Sequence, residues 1–316
     1  EVTCRAGGLA IRPSATEAKP GGKMDTLLQI LITGLVVGCI YGMAALGFTI
    51  VYNATKLINF ANGEFLMLGG VLLACAAQAA KLPMSLALLL AVAGAALTGW
   101  LMQRCILDMA MARSSDPLTL VMLTIGVALA LRGAAALAFG REITFVPEFG
   151  LLPLVLIGNV YIPSQGLWII FVLALTSTVL WYMFSKTMFG KAMRAASQEP
   201  RAAALCGIEP KRAAAIAMTL AGALGGLAGA MLAPISAAFY ENGIFLGLKG
   251  FAAAVAGGLG NPIGAIVGGL LIGVVESLSA GYVASGFKDA VGFILLILVL
   301  ILRPQGLVGR AIVTRV

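Results

Sequence analysis

The chain has 316 residues, of which 60% are hydrophobic and 11% are charged, and its mean hydropathy is +1.03. Soluble domains carry about 25% charged residues, so this composition indicates a polytopic α-helical membrane protein. The net charge of +8 falls between and after apolar runs. That placement is typical of membrane orientation by basic residues and argues against nucleic-acid binding.

Metal and redox chemistry are also disfavoured by the composition. The chain has no histidine, and its five cysteines include no CxxC pair. Histidine is the commonest metal ligand and the usual acid–base group near neutral pH, and paired cysteines mark many zinc sites and redox motifs. We therefore expect no catalytic residue, no metal site and no cofactor-binding site on this chain.

The first 23 residues differ from the rest of the chain. They are polar, contain four basic residues and lack the apolar core of a secretory signal. Met24, which is followed by a long apolar run, resembles a natural start. We expect 1–23 to be an extension that is disordered or non-native, 24–310 to be a single transmembrane domain, and 311–316 to be a short cytoplasmic tail.

Long apolar runs recur along the remaining chain. About 20 apolar residues are enough to cross a bilayer as a helix, so we predict an all-α, polytopic membrane protein with eight or nine spans. The seventh run is short and rich in glycine. We expect it to be broken or re-entrant, which a membrane tolerates only where protein or a cavity surrounds the backbone. The predicted spans are 27–51, 64–80, 84–104, 117–139, 167–184, 213–234, 244–260, 262–283 and 287–302.

A polar segment separates the first two predicted spans. It reads YNATKLINFANGE and contains Asn53, Asn59, Asn62 and Glu64. One interpretation is structural: Asn59 or Asn62 caps the next helix, and Glu64 in its first turn is favoured by the helix dipole. The other interpretation is that these side chains form a polar break that lines a translocation path. The sequence leaves both open.

Single charged residues also lie within or beside predicted spans. A charge near the middle of a span costs about 2.5–3.5 kcal/mol on insertion scales, so Glu276 should be a paired structural residue or a pathway residue near water. Arg132 is expected to extend toward the outer interface, and Lys249 to anchor its segment at an interface. Lys288 and Asp289 are adjacent and are expected to form a local charge feature.

The most strongly charged interior segment is 185–212, which contains six basic and two acidic residues. Its basic excess predicts that it faces the cytoplasm, as should the basic C-terminal tail, whereas 140–166 should face outside. Pro200 followed by RAAALCG predicts a short helix that ends at Gly207, and Glu199 beside its start suits the helix dipole. Such a helix would suit a groove on a soluble partner, with an ordinary basic loop as the alternative.

Nucleotide binding by this chain has no support in the sequence. The phosphate-binding pattern GxxxxGK[ST] does not occur. Its nearest approach is Gly190-Lys191, which lacks both the upstream glycine and the following Ser or Thr. If ATP hydrolysis drives this protein, another polypeptide must bind and hydrolyse the nucleotide.

Four sequence blocks are specific when they are taken together. They are INFANGEFLMLGG (58–70), GKAMRAASQEPRAAALCGI (190–208), GLKGFAAAVAGGLGNPIGAIVGGLLIGVVESL (247–278) and LLILVLILRPQGLVGR (295–310). In this order they resemble the LivH-type permease subunits of ABC importers for branched-chain amino acids, from about Met24 to Arg310. The resemblance implies a bacterial inner-membrane subunit that works with a second, LivM-like permease subunit, two cytoplasmic ATPase subunits that hold ATP and magnesium, and a periplasmic substrate-binding protein.

The resemblance also implies roles for individual residues. His commonly stands in the family where this chain has Asn62, which keeps hydrogen bonding but cannot titrate. Of the candidate translocation-pathway residues, Asn59, Asn62 and Glu64 match the family's polar INFANGE segment, whereas Asn53 and Glu276 are candidates because of their own polarity and position. The family's coupling loop maps onto residues 190–208. The ATPase-coupling residues that it implies are Gly190, Arg194, Glu199, Pro200, Ala203, Leu205 and Gly207.

These observations predict a permease subunit of an ATP-driven importer for branched-chain or other hydrophobic amino acids. Partner ATPases would close on ATP, and the short helix at 199–207 would pass that movement to spans that open to alternate sides, without covalent chemistry on this chain. The first alternative is the same importer class for urea, short amides or other neutral amino acids. The second is a secondary carrier or a channel; a carrier should show coupled ionisable groups and inverted repeats.

Overall fold

The computed structural model describes residues 23–113, 116–149, 155–157 and 160–309. These residues are almost entirely helical, which confirms the predicted all-α class. The expectations for the N-terminal extension, apart from Lys23, and for the 311–316 tail lie outside the described residues. The α-helices are α1 (Lys23–Thr55), α2 (Asn62–Ala74), α3 (Met84–Leu101), α4 (Asp108–Arg113), α5 (Pro117–Phe139), α6 (Ser164–Lys186), α7 (Met188–Gln198), α8 (Pro200–Leu205), α9 (Pro210–Ser236), α10 (Asn242–Gly257), α11 (Pro262–Tyr282) and α12 (Lys288–Leu302).

Seven helices in the described part of the chain are long and apolar enough to cross a membrane. Of the two remaining predicted spans, 64–80 matches α2 and its π-helical extension Cys75–Ala79, and 244–260 matches α10. α10 has 16 residues, about 24 Å at the rise of an α-helix, which is less than the ~30 Å hydrocarbon core of a bilayer. The polytopic all-α class is confirmed; the described residues contain seven helices of spanning length and a shorter apolar helix at the seventh predicted run.

The ends of α3 and α12 carry further helical elements. A second π-helical segment, Met102–Leu107, joins α3 to α4, so that Met84–Arg113 is one continuous span. A 3-10 turn, Ser285–Phe287, precedes α12.

At the start of α5, the amide and hydroxyl of Thr119 donate to Asp116, and these bonds lower the pKa of that carboxyl group.

One end of the bundle is marked by a β-hairpin. Its strands are β1 (Val155–Ile157) and β2 (Val160–Ile162), which pair antiparallel with Leu156 opposite Tyr161. Gln29, near the start of α1, donates to the carbonyl of Tyr161 (2.8 Å) and accepts from its amide (2.9 Å). The start of α1 and the β-hairpin therefore lie at the same end of the bundle.

The opposite end is closed by residues 303–309, which we call the C-terminal clasp. The amides of Leu307 and Val308 donate to the carbonyls of Ala256 and Gly257 at the end of α10 (2.9 and 3.1 Å). α7 and α8 lie at this end, where α7 packs against α1 and α9. The 185–212 segment and the clasp thus share one end of the bundle.

Small residues let the core helices touch through their backbones. On α1, a Cβ added to Gly38 would lie 2.8 Å from the Cα of Leu270 on α11. On α2, a Cβ added to Gly69 would lie 2.5 Å from the Cα of Gly226 on α9. Non-bonded carbon atoms prefer about 3.5–4.0 Å, so neither position has room for a methyl group.

α2 and α10 both begin inside the bundle. The side-chain amide of Asn62 donates to the carbonyl of Ala44 (3.2 Å), well inside α1, so α2 does not begin level with an end of α1. The first turns of α2 and α10 touch, because a Cβ on Gly63 would overlap the carbonyl oxygen of Gly243. Two helix N-termini therefore meet within the bundle, where their unpaired amides favour negative charge.

We expect Gly69→Ala to destabilise the protein and Gly126→Ala to leave it unchanged or more stable. Overpacking costs about 1–3 kcal/mol, whereas a Gly-to-Ala change at an open helical site gains about 0.5–1 kcal/mol. A Cβ at Gly126 on α5 meets nothing within 4 Å, which makes it the matched control. Thermal unfolding in detergent measures both variants, and equal midpoints would contradict the α2–α9 contact.

Candidate translocation site and coupling surface

Asn53 and Asn59 hold the polar segment between α1 and α2 in place. The Asn53 amide donates to the carbonyl of Gly260 in the α10–α11 turn (2.8 Å). Asn59 is 1% exposed; its oxygen accepts from the amide of Ala61 (3.0 Å), and its nitrogen lies 3.2 Å from the sulfur of Met218. These contacts are structural, and a pathway role for either residue stays a prediction.

Asn62 is buried but does not cap α2. Ala61 stands at the N-cap position, and no side chain there accepts from the first turn. The capping interpretation of the polar segment is therefore wrong in this detail, since Asn62 instead donates to Ala44 in α1. Its Oδ1 atom has no hydrogen-bond partner among the described residues, which leaves an acceptor available inside the bundle.

Glu64 forms a buried ion pair with Arg132. Its Oε1 atom lies 2.7 Å from an Nη atom of Arg132, and the side chains are 2% and 18% exposed. The expectation that Arg132 extends toward the interface is therefore wrong, because a carboxylate on α2 binds it within the bundle. The Oε2 atom of Glu64 and the Nε atom of Arg132 have no hydrogen-bond partner among the described residues.

A second charge centre, the Lys249 cluster, consists of the buried Tyr41, Lys249 and Glu276 together with the exposed Asp289. The Lys249 ammonium lies 3.0 Å from Glu276 Oε2 and 2.7 Å from Asp289 Oδ1. It also donates to the Tyr41 hydroxyl (3.0 Å), which in turn donates to Glu276 (2.9 Å). The cluster joins α1, α10, α11 and α12. The expectation that Lys249 anchors its segment at an interface is therefore wrong. Asp289 pairs with Lys249 on another helix, so it does more than form a local charge feature with Lys288.

The five candidate pathway residues do not form one site in the structure. Asn62 and Glu64 lie where α2 begins, Asn59 contacts Met218 on α9, Glu276 belongs to the Lys249 cluster, and Asn53 lies at the α10–α11 turn. The partners Arg132, Lys249, Tyr41 and Asp289 were not recognised as such from the sequence. Opposite charges on separate spans were the available signal, because a charge inside a membrane is usually paired.

A cavity of about 270 Å³ lies at the hairpin end of the bundle. Its walls come from the last turns of α2 and α5, from residues 140–144, and from residues 238–240, which follow α9. Backbone hydrogen bonds between Thr144 and Ala238 (2.8 and 3.0 Å) tie the last two segments together. Cys75 and Gln78 line the cavity from the π-helical end of α2.

α7 and α8 form an amphipathic surface at the clasp end. α7 begins after Thr187, whose hydroxyl accepts from the amide of Gly190 (3.3 Å), and it buries Met193 and Ala196. α8 starts at Pro200, and the chain leaves it through Gly207, which has a φ of 81°. The predicted short helix with a glycine stop is confirmed; α7 was not predicted as a separate helix.

The candidate coupling residues divide into a buried and an exposed set. Gly190 and Ala203 face inward, and a Cβ on Gly190 would lie 2.5 Å from the Cα of Phe184. Leu205 is 91% exposed, and Met188 nearby is 78% exposed. Large apolar side chains on a polar surface suit a protein contact. The exposed members are Arg194, Glu199, Pro200, Leu205 and Gly207.

Among the residues that the structure describes, seven long apolar helices that pack around charged residue pairs define a multi-pass membrane protein. Residues 30–300 match the family described as branched-chain amino acid transport system/permease component. The chain belongs to this family.

Relatives in the family match the chain along nearly all of its length. The branched-chain amino acid permease LivH of Escherichia coli is 31% identical, covering 92% of this chain and 97% of its own. BraD of Pseudomonas aeruginosa is also 31% identical, covering 92% and 98%. Among solved structures, PsaBC from Streptococcus pneumoniae superimposes with a TM-score of 0.50 at 16% identity, over 90% of this chain and 94% of that one, which supports the fold alone.

We expect Lys249→Met to be strongly destabilising, by about 3–5 kcal/mol, because it leaves the Glu276 carboxylate buried without its cation. The double variant Lys249→Met with Glu276→Gln should recover part of that loss, since the unpaired charge is then gone. Lys288→Met is the control: it removes a lysine charge at the start of α12 that is not part of the Lys249 cluster, and it should change stability by less than about 0.5 kcal/mol. Unfolding in detergent–SDS mixtures gives the comparison, and additive effects of the two substitutions would exclude coupling between them.

Proposed function

We propose that this chain is a transmembrane permease subunit of an ATP-driven importer for branched-chain or other hydrophobic amino acids. The observation that carries the proposal is its membership of the permease family over residues 30–300. The relatives named for branched-chain amino acid transport, at 31% identity over 92% of the chain, support the substrate class. ATP hydrolysis is assigned to other subunits, because the sequence carries no phosphate-binding loop.

We further propose that one of the two ATPase subunits, which hold ATP and magnesium, docks on α7 and α8. The exposed Leu205 offers an apolar anchor, with Arg194 and Glu199 as charged neighbours. A short helix that lays an apolar side chain into a groove is a common mode of recognition. In this arrangement the buried Gly190 and Ala203 seat the two helices on the bundle, and the exposed residues make the contact.

α9 provides the mechanical connection between this surface and the cavity. It is a continuous helix, Pro210–Ser236, that packs against α7 and α8 and also against α1, α2 and α3. The segment that follows it, residues 238–240, lines the cavity at the far end. A displacement of α7 and α8 on ATP binding would therefore shift the cavity wall and expose the pathway to alternate sides.

The remaining parts of the system follow from the same proposal. A second, LivM-like permease subunit completes the membrane domain, and a periplasmic binding protein delivers the amino acid to the hairpin end. The α7–α8 surface and the C-terminus would then face the cytoplasm of a bacterium, and the chain would lie in its inner membrane.

We expect Leu205→Glu to lower uptake at least about tenfold, which corresponds to roughly 1.4 kcal/mol of lost docking energy. The carboxylate would face an apolar groove on the ATPase, whereas the substitution leaves the buried core untouched. Leu205→Met keeps an apolar side chain of similar size at the same position, and it should transport normally. Uptake and ATPase co-purification are measured together; normal values for Leu205→Glu would contradict docking on α8.

Purification of the native complex tests the importer class itself. ATPase subunits and a second permease should co-purify, and uptake of radiolabelled leucine in proteoliposomes should need internal ATP and the binding protein. Uptake driven by an ion gradient without an ATPase would support a secondary carrier instead. Competition by urea or short amides, but not by isoleucine or valine, would assign a different substrate to the same importer class.

A further inference from the structure

Two four-helix units of the chain follow one pattern in opposite directions. In the first unit, α1 runs from the hairpin end to the clasp end, α2 runs back toward the cavity, and α3 and α5 follow. In the second unit, α9 runs from the clasp end to the hairpin end, α10 runs back to the clasp, and α11 and α12 follow. The described residues therefore contain an inverted repeat, in which α1 corresponds to α9, α2 to α10, α3 to α11 and α5 to α12.

The second helices of the two units begin with related sequences. α2 begins NGEFLMLGG (62–70) and α10 begins NGIFLGLKG (242–250), which are identical at six of nine positions. The helix before each one is followed by a left-handed residue: Lys56 has a φ of 56° after α1, and Ala237 has a φ of 58° after α9. Residues other than glycine seldom adopt this conformation, so its occurrence at corresponding points supports the repeat.

The corresponding glycines Gly63 and Gly243 touch each other. A Cβ on Gly63 would overlap the carbonyl oxygen of Gly243, and a Cβ on Gly243 would lie 3.1 Å from the carbonyl oxygen of Gly63. Corresponding residues of two units that a two-fold axis relates meet each other close to that axis. The axis of the repeat therefore passes through this contact, inside the bundle.

The first helix of each unit packs against the other unit. α1 packs chiefly on α11, and α9 packs chiefly on α3 and α2. This exchange produces two bodies: the α1 body consists of α1 with α10, α11 and α12, and the α9 body consists of α9 with α2, α3 and α5. The bodies meet along α1–α9 and along α2–α10, and we call this boundary the seam.

Each body contains one of the two charge centres. The Lys249 cluster joins all four helices of the α1 body, and the Glu64–Arg132 pair joins α2 to α5 in the α9 body. Buried ion pairs are costly to break, so these contacts favour movement of each body as a unit. The seam is crossed by the glycine contacts between α2 and α10 and by the hydrogen bond from Asn62 to the carbonyl of Ala44.

The proposed ATPase-docking surface lies across one end of the seam, because α7 packs against both α1 and α9. Two linkers also cross it: the one through Lys56 joins α1 to α2, and the one through Ala237 joins α9 to α10. We propose that the two bodies rock against each other about the Gly63–Gly243 contact, with Lys56 and Ala237 as hinges. A movement of α7 then opens the seam at one end of the bundle and closes it at the other.

This inference rests on the proposed function and deepens it, because it assigns the alternating movement to a boundary within one permease subunit. Inverted repeats are also found in secondary carriers. The repeat therefore describes how the chain moves, whereas membership of the permease family carries the importer class.

Distances between spin labels at the ends of the bodies test the movement. Ser285→Cys and Leu302→Cys place labels on exposed residues at the two ends of the α1 body, and Ser85→Cys and Ala112→Cys do so for the α9 body. The native cysteines other than the buried Cys39 are replaced by serine. Labels are introduced two at a time, and the distances are measured by pulsed electron paramagnetic resonance on the purified complex in nanodiscs.

A non-hydrolysable ATP analogue should change the two distances across the seam in opposite directions. These distances join the Ser85 and Ser285 sites at the hairpin end and the Ala112 and Leu302 sites at the clasp end, and each should change by more than about 2 Å, as in other domain rearrangements. The matched controls are the two pairs within one body, Ser285 with Leu302 and Ser85 with Ala112. Their distances should stay the same.

A hinge variant tests the seam without nucleotide. Valine is strongly disfavoured at positive φ, so Ala237→Val should shift the distance between the Ala112 and Leu302 sites, at the opposite end of the bundle, before any nucleotide is added. Lys81 also has a positive φ, of 51°, but it lies between α2 and α3 of the same body. Lys81→Val is therefore the matched control and should leave that distance unchanged.

The outcomes separate the seam from the proposed function. ATP-driven leucine uptake by the labelled complex, with unchanged distances across the seam, would overturn the rocking movement and leave the importer in place. Equal changes within the bodies, changes of the same sign at both ends, or equal effects of Ala237→Val and Lys81→Val would also overturn it. If no ATPase co-purifies, the importer is overturned, and a shift caused by Ala237→Val alone would still support the seam.

Discussion

Direct backbone contact between helices is the constraint on which the other features of this protein depend. Where Gly63 on α2 meets Gly247 on α10, a side chain of any size would separate the two helices. This contact brings two helix N-termini together inside the bundle. It also places Gly243 so close to Glu64 that an added Cβ would lie 2.5 Å from the Oε2 atom. The position of the buried carboxylate therefore follows from the absence of side chains around it.

The two charge centres attach peripheral helices to this core. α5 and α12 expose most of their apolar side chains, and lipid competes well for such surfaces, so hydrophobic burial does little to hold them. Arg132 ties α5 to α2, and the Lys249 cluster ties α12 to α1, α10 and α11. In the described part of the chain, polar contacts thus hold helices that apolar packing alone would attach weakly.

The helices of this fold could be predicted from the sequence better than the contacts between them. Long apolar runs identified the spans, and Pro200 with Gly207 identified the short helix, because these signals are local. The pairing of Arg132 with Glu64, 68 positions apart, could not be predicted, since hydropathy shows which residues enter the membrane but not which helices become neighbours. The start of α2 inside the bundle was missed for the same reason: 64–80 has the length of a span, and its depth depends on the contact with α1.

The C-terminal clasp has a consequence for the order in which the chain is completed. The last carbonyl groups of a helix have no partner within that helix, and those of Ala256 and Gly257 accept from Leu307 and Val308, some 50 positions later. During synthesis these groups must wait until α11 and α12 have been made and the clasp has emerged from the ribosome. The surface at that end of the bundle is therefore the last part of the described chain to reach its final form.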